Sequence, residues 1–228
     1  MNRIILALDT TVIKEAIAIT KQIKDKIFTI KLGLEFFNEH GKEGIKKFNE
    51  IGITNLMLDL KLKDIPQTVY KAIKALDNIQ FGFLTIHGQG GKAMMEKAKQ
   101  AASEIKSQPK IMMITILTAL SDDDLKAMGN DNNVIQQVEY LAKIAKEIGV
   151  GVVCSGNESK IVRKIIGTNL PIFSPGIRMP DENANDQRRV CTPLESIKNG
   201  SDKIIMGRSL MKGNIEENLN KVSNSLER

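Results

Sequence analysis

The chain has 228 residues, 42% of them apolar and 26% charged, with 33 basic against 27 acidic side chains and a net charge of +6. That composition suits a globular domain with a substantial core, and no run approaches the roughly 18 apolar residues that a membrane span needs. Aromatic residues make up only 4%, Trp is absent and the lysines are spread along helical segments, so the sequence argues against a nucleic-acid partner. The two cysteines, Cys154 and Cys191, and the two histidines form no ligand-spaced cluster. This argues against a zinc site and for a reducing, cytoplasmic compartment.

Short apolar runs alternate with amphipathic stretches from one end to the other. Met1–Asp9 is too short and ends too soon in charge for a signal peptide; residues 3–8 read as a first strand, followed by a helical pattern over 12–25. A second strand over 27–32 leads to a helix over 37–51, and a third over 54–60 to a helix over 66–78. Strands over 81–86 and 110–117 are followed by helices over 90–106 and 134–148, with a long loop, Ser121–Asn133, before the latter. The last three strands, 150–154, 171–174 and 203–206, precede helices over 157–167, 192–199 and 211–225, and Pro175–Val190 forms a second long loop. The apolar runs do not alternate cleanly, as expected of parallel strands covered on both faces. Eight βα units predict an α/β chain folded as one (β/α)8 TIM barrel domain over 1–228, rather than an open doubly wound sheet. His87-Gly88-Gln89-Gly90-Gly91 is glycine-rich but matches neither a dinucleotide fingerprint nor a Walker loop.

In such a barrel the chemistry lies at the carboxyl ends of the strands. Polar residues stand there on nearly every strand: Asp9, Lys31, Asp59 with Lys61, His87, Thr118, Ser155, Gly176 with Arg178, and Gly207 with Arg208. The most informative segment is Asp59-Leu60-Lys61-Leu62-Lys63-Asp64-Ile65-Pro66, which closes the apolar run Asn55–Leu58. With a side-chain period of two, Asp59 and Lys61 share one face of the strand. Lys31, Asp59, Lys61 and Asp64 are expected to form an alternating tetrad in which opposite neighbours keep each group ionised. Such an array presents a preorganised field. It also reads as a set of ion pairs with no catalytic part, and spacing leaves both readings open. Gly207-Arg208 and Ser174-Pro175-Gly176-Ile177-Arg178, after the last two strands, read as a phosphate grip built from backbone N–H groups and two guanidinium forks. The polar loop Met179–Val190 lies between them; it suits closure over a phosphate and also reads as a disordered surface excursion, which its composition slightly favours. His87 reads as a hydrogen-bonded structural residue, His40 as a surface residue and Cys154 as a small core hydrophobe. Asp122-Asp123-Asp124 after Ser121 reads as a helix N-terminus.

These residues together resemble the short bacterial type of orotidine 5′-phosphate decarboxylase. The likeness runs from Leu6-Ala7-Leu8-Asp9 and Lys31-Leu32-Gly33 through Asp59–Thr68, Thr115-Ile116-Leu117-Thr118 and Val153-Cys154-Ser155-Gly156. It continues through Ser174–Arg178 and Asp186-Gln187-Arg188-Arg189 to Thr192-Pro193 and Gly207-Arg208-Ser209-Leu210, so it covers almost the whole chain. The resemblance implies conversion of orotidine 5′-phosphate to UMP and CO2 in pyrimidine biosynthesis, with no metal and no organic cofactor. It implies Lys61 as proton donor to C6, Asp59 beside the substrate carboxylate, Lys31 holding the charge array and touching the ribose, and Asp9 on a ribose hydroxyl. Thr118 would contact the pyrimidine, and Arg178, Gln187, Gly207 and Arg208 the phosphate. Asp64 and Thr68 would reach into the neighbouring subunit's site, making the enzyme a homodimer with shared active sites. Lys63 stands where His or Phe is expected, and Ser209 where Pro is usual. Hexulose-phosphate synthase, a Mg²⁺-dependent relative, shares the D-x-K-x-x-D element, but Ile65-Pro66 argues against it. A non-catalytic RNA-binding barrel is a rival reading from another class. A Schiff-base aldolase acting through Lys61 or Lys31 is disfavoured, because paired carboxylates keep a lysine protonated and poorly nucleophilic.

Overall fold

A computed structural model gives the structure of the chain and describes residues 3–180 and 189–227. Eight strands follow one another in sequence order around a closed barrel, and every strand pair with a defined register among the described residues is parallel. The (β/α)8 TIM barrel expected from the alternation of apolar runs and amphipathic stretches is therefore the fold. The chain divides into two compact units, Met1–Met112 and Met113–Arg228.

The first unit holds β1 (Ile4–Ala7), α1 (Ile13–Ile23), β2 (Thr29–Gly33), α2 (Leu34–Glu50), β3 (Met57–Leu62), α3 (Pro66–Lys74), β4 (Phe83–His87) and α4 (Lys92–Ser103). Its strands are buried along nearly their whole length, which is why the sequence shows apolar runs rather than alternation. Pro66 opens α3 at its first position, where its missing N–H has no helical partner to lose. Helix α2 begins three residues before the expected 37–51 and is broken at Gly41, whose φ is 55°. His40, read as a surface residue, lies half-buried against the Phe36 ring with a ring nitrogen 2.7 Å from the Thr11 carbonyl.

β5 (Lys110–Ile114) spans the boundary between the units. The second unit continues with α5 (Asp122–Ala127), α6 (Val134–Ile148), β6 (Gly151–Val153), α7 (Ser159–Ile166), β7 (Ile172–Ser174), α8 (Pro193–Lys198), β8 (Lys203–Met206), α9 (Arg208–Met211) and α10 (Ile215–Leu226). The expected loop Ser121–Asn133 contains the short α5. Ser121 and Asp124 close a reciprocal capping box at its start, as the acidic run after Ser121 implies. A second capping box, Asn133 with Gln136, opens α6, and Asp122 accepts a hydrogen bond from the Val134 N–H at 2.7 Å, tying the two helices together. α6 ends at Gly149, which takes the left-handed conformation (φ 75°, ψ 53°) and donates its N–H to the Ala145 carbonyl at 2.8 Å. A Cβ is strained in that conformation. Gly149→Ala is therefore expected to lower the unfolding free energy by about 1 kcal/mol, read by urea denaturation, with turnover unaffected.

Candidate active site

The carboxyl ends of β1, β2 and β3 bring four charges of alternating sign together. Lys61 Nζ lies 2.7 Å from Asp59 Oδ2, and Lys31 Nζ lies 3.2 Å from the same oxygen. Lys31 Nζ is also 3.5 Å from Asp9 Oδ1. The cluster grades from inside to outside: the Asp59 and Lys31 side chains are each 11% exposed, Lys61 33% and Asp9 56%. Register explains the convergence. Ala7 pairs with Lys31, and Gly33 with Asp59, so Asp59 stands two residues beyond the level of Lys31 and the long lysine side chain spans that step to reach it. A Cβ on Gly33 would stand 3.4 Å from Lys31 Nζ and 3.6 Å from Asp9 Oδ1, so a side chain there would pack directly against both charges.

The other half of the geometry comes from an irregularity in β3. Leu58 pairs with Leu84 and Leu62 with Ile86, so four residues of β3 are passed against two of β4. Within this bulge Lys61 has φ 50°, a conformation that L-residues adopt at some energetic cost and that clusters at working sites. Thr85, fully buried in β4, fills the gap: its hydroxyl accepts from the Lys61 backbone N–H at 2.9 Å and donates to Asp59 Oδ1 at 2.9 Å.

Burial opposes the charge on Asp59, but the ammoniums of Lys31 and Lys61 and the hydrogen bonds from Lys61 and Thr85 outweigh it, and the carboxyl is held below the usual carboxylate range. Burial likewise opposes the charge on Lys31; Asp59 and Asp9 outweigh it and hold the ammonium above the usual lysine value. Asp59 and Lys31 are thus ionised at neutral pH. At the end of β4, His87 is half-buried with Nδ1 unpartnered. Burial, with the positive charges of Lys63 and Lys61, pushes its imidazole below the usual histidine value, so it is neutral at pH 7. Lys63 itself is exposed.

Asp64, expected in the tetrad, lies apart from it within this chain. β3 ends at Leu62, and the exposed Asp64 carboxylate accepts from the Ile65 N–H at 2.7 Å at the mouth of α3. Asp9 supplies the fourth charge instead. Thr68 is exposed in the first turn of α3.

In the second unit, Thr118 and Arg178 are buried. The Arg178 guanidinium donates to the Ile177 carbonyl at 2.9 Å, and its backbone N–H donates to the Cys191 carbonyl at 3.0 Å. Gly207 caps α9, whose first residue is the exposed Arg208; Ser209, where Pro is usual in the resembled family, is buried within that turn. Gln187 lies outside the described residues, as do Asp181, Glu182, Asp186 and Arg188. Cys154 is buried and its thiol is pushed up to about 12 by that burial, in keeping with a core role. Among the described residues no group of three or more His, Cys, Asp or Glu has the geometry to hold a metal ion, and no helix is long and apolar enough to cross a membrane.

A family model described as the orotidine 5′-phosphate decarboxylase / HUMPS family matches residues 2–221. The chain belongs to this family. It is 43% identical over 210 residues to the orotidine 5′-phosphate decarboxylase of Ehrlichia canis, covering 92% of this chain and 90% of that protein. With the enzyme of that name from Rhodospirillum rubrum it shares 38% identity over 215 residues, 92% of this chain and 87% of that protein. The crystal structure of orotidine 5′-phosphate decarboxylase from Lactobacillus acidophilus matches it with a TM-score of 0.83 at 32% identity, covering 100% of both chains.

Sequence reasoning about this member of the decarboxylase family missed two features. Thr85 stands in the apolar run Phe83–Ile86 and reads as a β-branched core residue; only the strand pairing exposes its hydroxyl's task. Glu158, a fully buried carboxylate at the start of α7, forms an ion pair with Arg189. Arg189 also donates to the carbonyls of Ile116 (3.1 Å) and Leu117 (2.7 Å), just before Thr118. The Asp59 carboxylate, with its depressed folded-state pKa, stabilises the fold fully above the unfolded value of about 3.9 and loses that contribution as the pH falls through the lower folded value. Wild type is therefore expected to exceed Asp59→Asn in unfolding free energy at pH 7, with the gap closing below about pH 4, as read by urea unfolding across that range.

Proposed function

We propose that the chain decarboxylates orotidine 5′-phosphate to UMP and CO2, as a single barrel domain over 1–228 that works without metal or organic cofactor. The observation that carries this reading is the pair of ammoniums sharing one buried carboxylate oxygen at the ends of β2 and β3, in a chain whose relatives bear the decarboxylase name. Lys61 is the proton donor, Asp59 faces the substrate carboxylate, Lys31 holds the array and contacts the ribose, and Asp9, the most exposed of the four, binds a ribose hydroxyl. Thr118 contacts the pyrimidine, and Arg178, Gln187, Gly207 and Arg208 hold the phosphate.

The chemistry follows from the charges. The bond from C6 to the carboxylate breaks, its electron pair stays on C6 and CO2 leaves. The Lys61 ammonium gives its proton to C6, and solvent later returns one to the neutral amine. The pyrimidine carbonyls do not delocalise that electron pair as an enolate would. Stabilisation therefore comes from fixed charges already in place, with little reorganisation during the reaction. Binding energy from the remote phosphate offsets the cost of seating a carboxylate beside Asp59.

The active form is a homodimer with shared sites. Asp64, Ile65 and Thr68 are exposed on one short stretch, and Ile65 is 67% exposed, an apolar side chain better covered by a second subunit than by water. Two buried, unpaired thiols fit the reducing cytoplasm. Several surface lysines are occupied by carboxylates, as in Lys46–Glu43, Lys47–Glu50 and Lys74–Glu104, which favours a solvated surface over a nucleic-acid face.

Three results check this reading. Lys61→Ala is expected to abolish loss of orotidine 5′-phosphate absorbance while circular dichroism stays that of wild type; near-normal turnover would remove Lys61 as donor. Lys61→Ala and Asp64→Ala, each inactive alone, are expected to regain about a quarter of wild-type activity when mixed, because about half the dimers are mixed and each carries one intact site. Mixed dimers without activity would sink the shared site. Turnover is expected to survive EDTA, whereas a Mg²⁺-dependent hexulose-phosphate synthase would lose it.

A further inference from the structure

We infer that Thr85 is a positioning residue for this reaction: its hydroxyl locks the β3 bulge and thereby sets the Asp59–Lys61 geometry. The inference rests on the decarboxylase reading and adds a residue to it.

The two extra residues of β3 between Leu58 and Leu62 interrupt the ladder, as a bulge does. The Lys61 N–H, inside that irregularity, needs a partner outside the regular ladder, because an N–H withdrawn from water is costly to leave unpaired. Thr85, between the paired residues Leu84 and Ile86, presents its hydroxyl to that N–H at 2.9 Å. A hydroxyl carries one hydrogen. Since Oγ1 accepts from Lys61, that hydrogen is free for Asp59 Oδ1, also 2.9 Å away.

The two carboxylate oxygens are therefore differentiated. Oδ1 is held by a neutral hydroxyl, while Oδ2 is shared by both ammoniums. One side chain fixes the backbone of the proposed proton donor at its strained φ of 50° and the orientation of the carboxylate that directs it. Thr85 is 0% exposed, so water does not readily take over either bond. Valine has nearly the same shape and neither bond; serine keeps both.

The test is steady-state kinetics of wild type, Thr85→Val and Thr85→Ser with orotidine 5′-phosphate, together with pH profiles and unfolding midpoints. Thr85→Val is expected to lower kcat about 10- to 100-fold, the scale of a small misplacement of reacting groups, with KM changed less than about threefold. Thr85→Ser is expected to restore kcat to within a few-fold of wild type. Losing a hydrogen bond to the ionised carboxylate raises its pKa, so the acid limb of kcat is expected to move to higher pH in Thr85→Val alone. A purely structural residue would lower the unfolding midpoint and leave kcat per folded site and the acid limb in place. That result, or a serine variant as impaired as the valine one, overturns the inference. Should Thr85→Val not fold, Thr85→Ala is read by the same two quantities. A wild type inactive on orotidine 5′-phosphate would instead overturn the decarboxylase reading itself.

Discussion

A single oxygen, Asp59 Oδ2, accepts from two ammoniums at 2.7 and 3.2 Å inside a largely buried site. Lys31, under burial, is held above the usual lysine value by that carboxylate and by Asp9. The carboxylate in turn stays charged under burial because of the two ammoniums. Asp9 completes the balance from the wetter side. Removing Asp59 takes from both ammoniums their shared partner, and removing either lysine leaves the buried carboxylate with a single cation, so the cluster is mutually dependent rather than a sum of pairs. In the proposed reaction, charges held by the fold need no rearrangement when charge develops on a substrate.

Holding that cluster requires departures from regular structure. A regular β3 would pair its amides with a neighbouring strand and keep Lys61 in extended conformation; the bulge and the positive φ replace both. Local strain of this kind persists where surrounding contacts over-determine it, and here the surroundings include the fully buried Thr85, whose hydroxyl bonds both the bulge and Asp59.

The second unit meets the same demand differently. Its strands β6, β7 and β8 are short, and the buried hydroxyls of Ser159, Ser174, Ser196 and Ser201 hydrogen-bond to one another at 2.7 to 3.0 Å across them. A Cβ on Gly156 would come within 2.8 Å of Ser196 Oγ, so small residues are required for α8 to sit close to the turn after β6. The Glu158–Arg189 pair adds a polar strut there, with Arg189 and Val190 carbonyls accepting from Ser155 Oγ at 3.2 Å and Asn157 Nδ2 at 3.1 Å. Polar groups here reinforce chain segments that carry little regular ladder.

The amino-acid sequence alone determined the repeating βα order and the barrel class, because apolar runs alternating with amphipathic stretches are local patterns that repeat with the fold. It also paired Asp59 with Lys61, two residues apart, by the side-chain period of a regular strand, whereas the structure joins them through a bulge in which Lys61 has φ 50°. Tertiary structure decided the rest. It put Asp9 rather than Asp64 beside Lys31, because the chain leaves the strand after Leu62 and carries Asp64 outward onto the start of α3. It gave Thr85 and Glu158 polar tasks that their apolar or helical neighbours conceal. Those roles depend on partners 26 and 31 residues away, and such pairings are fixed by strand register and by a bulge in one strand, neither of which leaves a periodic trace in the residues themselves.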